Sequence, residues 1–174
     1  MSNKRKYIIA SVTLGLIAAS SALLIGLTNL ATEKTIAQNE INRFNAGIAT
    51  IFGDNSTNEL FTDSFENYKY LNECYTVNYQ DGNKTGWAIK TTGSNMYGKI
   101  SMIIGFNDVK ERIGTYIITN EQSYASTLVD KYINPLNEGN RELDDVKCGA
   151  TYGAKLVKSM IEEAQEYLNE THDL

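Results

Sequence analysis

The sequence predicts an α+β protein with a single N-terminal transmembrane helix, followed by one domain in which helices pack on an antiparallel sheet. Three observations support this fold class. An uncharged, apolar run lies near the N-terminus, between Tyr7 and Thr32. Four segments between residues 72 and 119 are rich in aromatic and β-branched residues and bounded by turn residues, as in strands. A segment near the C-terminus has apolar residues at helical spacing.

The apolar run is long enough to cross a membrane, since around 20 residues at 1.5 Å rise span a hydrocarbon core of roughly 30 Å. Residues 4–6 are Lys-Arg-Lys, and Glu33 with Lys34 follow the run. The excess of positive charge before the run places the N-terminus in the cytoplasm. A cleaved signal peptide is the alternative, but its apolar region is usually only about 7 to 15 residues long. We therefore expect residues 1–32 to form an uncleaved, single-pass anchor in the cell membrane, with the C-terminal domain extracytoplasmic.

Residues 33–71 are predicted to form a stalk and a linker. Apolar residues recur at steps of three and four as far as Phe52, which indicates an amphipathic helix that continues from the anchor. The helix is expected to end near Gly53. Residues 55–69 are polar with scattered apolar side chains, and only irregular structure or a short helix can be assigned there. The apolar positions of the stalk are Ile36, Ala37, Ile41, Phe44, Ile48 and Phe52.

Residues 72–174 are predicted to form one domain. Residues 72–79 alternate with period two, Asp81-Gly82-Asn83 provides a turn, and residues 86–91 return as a hairpin. After a loop from Gly93 to Gly98, two further strands at 99–106 and 112–119 complete an antiparallel meander.

Helical spacing returns in the last third of the chain. It runs from Tyr124 to Tyr132, and Pro135 is expected to stop that segment. The final helix has an apolar face opposite a row of glutamates, so it should pack on the sheet. The apolar positions of this helix are Leu156, Val157, Met160, Ile161, Ala164 and Leu168.

Charge and composition exclude several classes of function. The formal net charge is −5, and removing the three positive charges of residues 4–6 leaves −8 on the rest of the chain. An acidic domain without a basic patch is a poor partner for phosphate backbones, so nucleic-acid binding is not expected. His172 is the one histidine, which makes a metal site or a histidine-dependent catalytic triad improbable. Cys74 and Cys148 are either reduced and partly buried or paired in an oxidising exterior, and the chain's low cysteine content favours the reduced state.

The sequence also contains a candidate phosphate site. Residues 145–151 read Asp-Val-Lys-Cys-Gly-Ala-Thr and lead directly into the last helix. The first N–H groups of a helix have no partner within it and attract anions, and Gly149 allows close approach of the backbone. The alternative is structural, with Gly149 an ordinary loop glycine and Thr151 an ordinary N-cap residue.

Residues 145–151 resemble the flavinylation motif Asp-x-x-Ser/Thr-Gly-Ala-Thr of the FMN-binding domain family. The family includes the G subunit of the Rnf electron-transport complex and the C subunit of the sodium-pumping NADH:quinone oxidoreductase. In it, a flavin transferase attaches FMN through its phosphate to the last threonine, which corresponds to Thr151. By the same match, Asp145 and Gly149 shape the turn that the transferase recognises, and Ala150 belongs to the cofactor-binding motif. Cys148 stands where the family has Ser or Thr, and cysteine is a weaker hydrogen-bond donor and acceptor.

The resemblance extends over most of the remaining chain, in the order of anchor, polar segment, strands and helices. The family has Tyr-Gly-Gly before a strand, and this chain keeps Tyr97 and Gly98 there, which implies a place beside the isoalloxazine ring. After the fourth strand the family has Glu-Thr-Pro-Gly-Leu-Gly. Here residues 121–126 read Glu-Gln-Ser-Tyr-Ala-Ser, so only Glu121 is kept and the contacts to the ring are expected to differ.

The resemblance implies a membrane-anchored flavoprotein subunit that carries FMN as a phosphoester of Thr151. Such a subunit relays electrons in an ion-translocating ferredoxin or NADH oxidoreductase complex of the Rnf kind, rather than acting as a stand-alone enzyme. The implied partners are the other membrane redox subunits, the flavin transferase and the membrane itself. Two alternatives stay open: an anchored non-redox assembly or ligand-binding module with a decayed flavin site, and an extracellular flavin electron carrier.

Overall fold

The computed structural model describes residues 3–61, 63–79, 82 and 84–171. The chain divides into two compact units, with the boundary between Asn42 and Arg43. Helix α1 spans Asn3–Phe52, and its apolar part is long enough to cross a membrane. Its side chains there are largely exposed, such as Ile8 at 63% and Leu24 at 64%. This helix is consistent with the predicted membrane anchor.

The second unit contains a five-stranded antiparallel sheet in the order β1-β2-β3-β4-β5. The last four strands are those expected from the sequence, and the architecture confirms the predicted α+β class. His172 and two residues of the predicted hairpin turn, Asp81 and Asn83, lie outside the described residues; Gly82 has a φ of +82°. The strands are β1 (Thr57–Phe61), β2 (Leu71–Tyr79), β3 (Lys84–Asn95), β4 (Gly98–Phe106) and β5 (Arg112–Asn120).

Two details of the sheet differ from the expectation. Strand β1 lies within the segment predicted as irregular, and it pairs with β2 from Thr57 opposite Asn78 to Phe61 opposite Cys74. Most of its side chains are exposed, so it lacks the apolar alternation by which a strand is recognised. The predicted loop from Gly93 is also shorter, because β3 continues to Asn95, which pairs with Gly98.

The helices that follow β5 cover one face of the sheet. Helix α2 spans Ala125–Leu128, a π-helical turn spans Val129–Ile133, helix α3 spans Asn134–Asn137 and helix α4 spans Thr151–Thr171. The prediction that Pro135 stops the helical segment is wrong by two residues. Pro135 lies in the first turn of α3. The N–H of Asn134 before it bonds to the Val129 carbonyl across the π turn, so the helical path continues past the proline.

The sheet has a buried core on each face. On the face covered by α4, residues such as Ile104, Leu128 and Met160 form the larger core. On the opposite face, the last turns of α1 contribute Ile48 and Phe52 to the smaller core. The amphipathic pattern of the stalk therefore continues into the folded domain. The remaining residues of the smaller core are Val77, Tyr79, Ala88, Ile103 and Ile118.

The two cysteines are free and buried, in line with the reduced state favoured by composition. Burial raises the pKa of the Cys74 thiol to about 12. Nearby, the Tyr167 hydroxyl donates a hydrogen bond of 2.7 Å to the Asp63 carboxylate. Burial and this bond raise the pKa of Tyr167, so both groups stay protonated at neutral pH and belong to the packed core.

Candidate functional site

The start of helix α4 has the geometry of an anion site. Gly149 adopts a φ of +86°, the left-handed conformation that favours glycine. The Ala150 carbonyl accepts a hydrogen bond of 3.0 Å from the Ala154 N–H. Ala150 is therefore the N-cap residue and Thr151 the first helical residue, so the simple N-cap interpretation of Thr151 is wrong. The N–H groups of residues 151–153 have no acceptor within the helix and lie at its positive end.

These residues form one wall of a cavity of about 240 Å³. The aromatic rings of Tyr97 and Tyr152 stand 5.3 Å apart, tilted by 35°. No charged side chain is among the residues lining the cavity. The N-terminus of α4 provides a partial positive charge there. The lining residues are Tyr97, Gln122, Tyr124, Leu128, Gly149, Ala150, Thr151, Tyr152 and Gly153.

A hydrogen-bond network joins three walls of the cavity. Asn95 in the β3–β4 hairpin donates from Nδ2 to the Tyr152 carbonyl at 3.1 Å. Its Oδ1 accepts from the Tyr97 N–H at 2.8 Å and from Gln122 Nε2 at 3.1 Å. Gln122 Nε2 also donates to the Gly98 carbonyl. The turn after β3, the residues after β5 and the first turn of α4 are thereby held in one arrangement.

Gly98 and Glu121 support this arrangement through their backbones. Gly98 has a φ of +133°, and a Cβ at this position would overlap the Glu121 carbonyl oxygen. The Glu121 N–H donates to the Lys99 carbonyl at 2.8 Å, while the Glu121 side chain is exposed. Neither residue lines the cavity; together they fix where the chain leaves β5.

Asp145 and Cys148 also lie outside the cavity at Thr151. The exposed Asp145 carboxylate is 3.4 Å from Arg141 Nη1. Cys148 is 7% exposed, and it lines a neighbouring groove with Lys131, Arg141 and Lys147. Gly149 borders both spaces. Of the predicted site residues, the structure thus brings Tyr97, Gly149, Ala150 and Thr151 together around one cavity.

Sequence reasoning missed Gln122, Tyr124, Leu128 and Tyr152 as cavity residues. Gln122 and Tyr124 fall in the segment that departs from the flavin-binding family, which was expected to alter the ring contacts. In the structure this replaced segment still lines the cavity. The signal available in the sequence was position, since these residues follow β5 directly, as the corresponding family segment does.

Comparison with known proteins bears on the other end of the chain. Residues 1–47 match the family described as RnfG N-terminal region. This match supports the RnfG-type family. It suggests a subunit of an Rnf-type complex. The match covers the anchor and most of the stalk, whereas the cavity at Thr151 lies outside it. No curated protein matches the chain.

Proposed function

We propose that this chain is the membrane-anchored flavoprotein subunit of an Rnf-type complex, in which FMN is bound as a phosphoester of Thr151 and electrons are relayed between redox partners. One observation carries the proposal. Thr151 is the first residue of a long helix, two residues after a glycine with φ of +86°, and it borders a cavity lined by aromatic side chains.

The residues present fit the phosphate of FMN. A phosphoryl group on the Thr151 hydroxyl would lie at the helix N-terminus, near the unpaired N–H groups of residues 151–153. Gly149 and Ala150 leave little side-chain bulk on the approach. Since none of the lining residues carries a negative charge, the anion meets no repulsion from the walls.

The cavity also fits part of a flavin ring system. Tyr97, Tyr124 and Tyr152 offer aromatic surface, and Leu128 adds an apolar wall. The volume of about 240 Å³ is below the roughly 300–1,000 Å³ typical of small-molecule sites. Part of the flavin would therefore stay exposed, which suits a cofactor that exchanges electrons with a second protein.

Attachment exchanges one bond for another. A bond forms between Thr151 Oγ1 and the phosphorus of FMN, and the threonine hydroxyl loses its proton. At the same time, the bond between that phosphorus and the leaving group of the transferase's flavin donor breaks. The bound flavin supplies one- and two-electron redox chemistry. The chain's own residues position the hydroxyl, stabilise the phosphate charge and enclose one side of the ring.

The same proposal covers topology and partners. The charge asymmetry around the anchor favours a cytoplasmic N-terminus and an extracytoplasmic domain. On that side of the membrane a covalent bond keeps the cofactor from diffusing away. The partners are a flavin transferase and the neighbouring redox subunits of the complex.

The first prediction concerns Thr151. After co-expression with a flavin transferase, the full chain should gain the mass of one FMN less one water, and its denatured band should fluoresce under ultraviolet light. Thr151→Ala should lose both signals because it removes the only proposed acceptor hydroxyl, and Thr151→Ser should keep them in part. Thr127→Ala is the matched control, since Thr127 lies against Gly149 and is not the proposed acceptor.

Two outcomes would contradict the proposal. A Thr151→Ala variant that still carries the adduct would place the attachment elsewhere. A dark wild-type band, obtained with a transferase that modifies a known substrate in the same cells, would favour an anchored module without a covalent flavin.

A further inference from the structure

Gln122 is a buried polar residue in the wall of the cavity. Its exposed fraction is 7%, and it follows β5 directly. Buried amide groups are normally hydrogen-bonded at both the nitrogen and the oxygen, because an unpaired one loses its hydration without replacement.

The orientation of the Gln122 amide is fixed by its neighbours. Asn95 Oδ1 accepts from the Tyr97 backbone N–H at 2.8 Å, and a backbone N–H can only donate. This fixes the Asn95 amide, so the atom of Gln122 that lies 3.1 Å from Asn95 Oδ1 must be a donor, Nε2. The same nitrogen donates to the Gly98 carbonyl, which also can only accept. The Gln122 oxygen, Oε1, is therefore the atom on the other side of the amide.

That oxygen faces the first turn of helix α4. Oε1 lies 3.4 Å from the position that a Cβ on Gly153 would take, two residues after Thr151. In the part of the chain that the structure describes, no N–H or O–H group donates a hydrogen bond to it. Gln122, which is 7% exposed and whose oxygen has no donor among these residues, thus lines the same cavity as the first turn of α4.

We propose that Gln122 is a flavin-binding residue of this chain, whose Oε1 accepts a hydrogen bond from the FMN attached at Thr151; the inference rests on the proposed function. An anion alone would not serve, since a phosphate diester has no proton to donate at neutral pH. FMN carries two kinds of donor, the hydroxyls of its ribityl chain and the N3–H of its ring. Either donor satisfies Oε1, and the cavity then offers both an anion site and an acceptor.

The test compares loaded and unloaded protein. Full-length wild type, Gln122→Met and Gln165→Met are prepared with and without an active flavin transferase, and intact mass reports attachment. Gln165→Met is the matched control, because Gln165 also donates to a backbone carbonyl, at 3.1 Å from Lys110 O, and does not line the cavity. The rise in melting temperature on loading is then measured for each, so that the effect of each substitution on the unloaded protein cancels.

For Gln122→Met we expect flavin attachment to raise the melting temperature by less than in wild type. The difference should be roughly 2–4 °C, the effect of losing one hydrogen bond. For Gln165→Met the rise should equal the wild-type rise. If Gln122→Met does not fold, as judged by circular dichroism, Gln122→Asn replaces it, since the shorter side chain withdraws the oxygen and keeps the amide.

The midpoint potential of the loaded protein distinguishes the two donors. A potential that changes in Gln122→Met assigns the contact to the ring N3–H, because hydrogen bonds to the ring tune its electronics. A smaller rise in melting temperature with an unchanged potential assigns it to a ribityl hydroxyl. Equal rises and equal potentials in wild type and both variants would overturn the inference while leaving the proposed function intact. Absence of the mass adduct in wild type would instead overturn the proposed function, and this inference with it.

Discussion

At the residue scale, the candidate site depends on two backbone conformations that favour glycine. Gly149, with φ of +86°, turns the chain into helix α4, and Gly98, with φ of +133°, lets the β3–β4 hairpin contact the residues after β5. The two differ in their surroundings. A Cβ at Gly149 would meet Thr127 Cγ2 at 3.4 Å, an ordinary contact, whereas a Cβ at Gly98 would overlap backbone atoms of Glu121.

We therefore predict that Gly98→Ala destabilises the domain strongly, by about 1–3 kcal/mol from backbone strain with a further cost from the overlap with Glu121. The free energy of unfolding of the full chain in detergent, measured by denaturant titration, checks this. Gly139→Ala is the matched control, because Gly139 has a φ of +72° with open space around its Cβ position. Gly139→Ala introduces the backbone strain without the overlap. An equal loss of unfolding free energy in Gly98→Ala and Gly139→Ala would therefore contradict the role assigned to the contact between Gly98 and Glu121.

Residues of the site differ in how far the sequence could predict them. Thr151, Gly149 and Ala150 are adjacent in a recognisable motif, and Tyr97 is followed by a glycine at the start of a strand. Gln122 reaches the cavity only because the residues after β5 fold against the β3–β4 hairpin. That contact joins positions 24 residues apart in sequence, and no local pattern indicates it.

At the element scale, predictability follows the strength of the local pattern. Helix α4 buries one regular face, and β4 is an apolar run that is buried along most of its length, so both are visible in the sequence. Strand β1 is an exposed edge strand whose structure comes from pairing with β2. The π turn before α3 arises from bonding that a simple helical period does not describe, so the effect of Pro135 was misplaced.

The contact between the end of α1 and the sheet is the element-scale feature most open to test. Gly47 lies against β4 and β5, and a Cβ there would stand 2.6 Å from Ile103 Cδ1 and 2.8 Å from Tyr116 Cδ1. In an exposed helix Gly→Ala stabilises by about 1 kcal/mol through helix propensity. Here we predict the opposite sign, since overpacking costs about 1–3 kcal/mol.

The free energy of unfolding of Gly47→Ala tests this prediction. Gly114→Ala is a control on the same side of the sheet, because a Cβ at Gly114 would make only ordinary contacts, the nearest at 3.6 Å to Ile51. A Gly47→Ala variant more stable than wild type would show that α1 does not pack as closely on the sheet as the structure has it.

At the scale of the whole molecule, sequence and structure suggest different starting points for the folded domain. The change of periodicity near Asn72 predicts a domain of residues 72–174, and that boundary stays a prediction. The compact second unit begins at Arg43. It includes the end of α1 and strand β1, and the guanidinium of Arg43 donates to the Ile118 carbonyl at 2.7 Å.

Two truncated chains decide between these boundaries. A chain that starts at Arg43 keeps Ile48 and Phe52 on the smaller core, so we predict that it folds and stays monomeric without detergent. A chain that starts at Asn72 exposes the apolar face formed by Val77, Ala88 and Ile103, and exposed patches of this kind promote aggregation. We expect it to elute as aggregates in size-exclusion chromatography and to lack a cooperative melting transition. A soluble, cooperatively melting chain from Asn72 would show that residues 43–71, which include the end of α1 and strand β1, are not needed for folding, and that the folded domain is complete from Asn72.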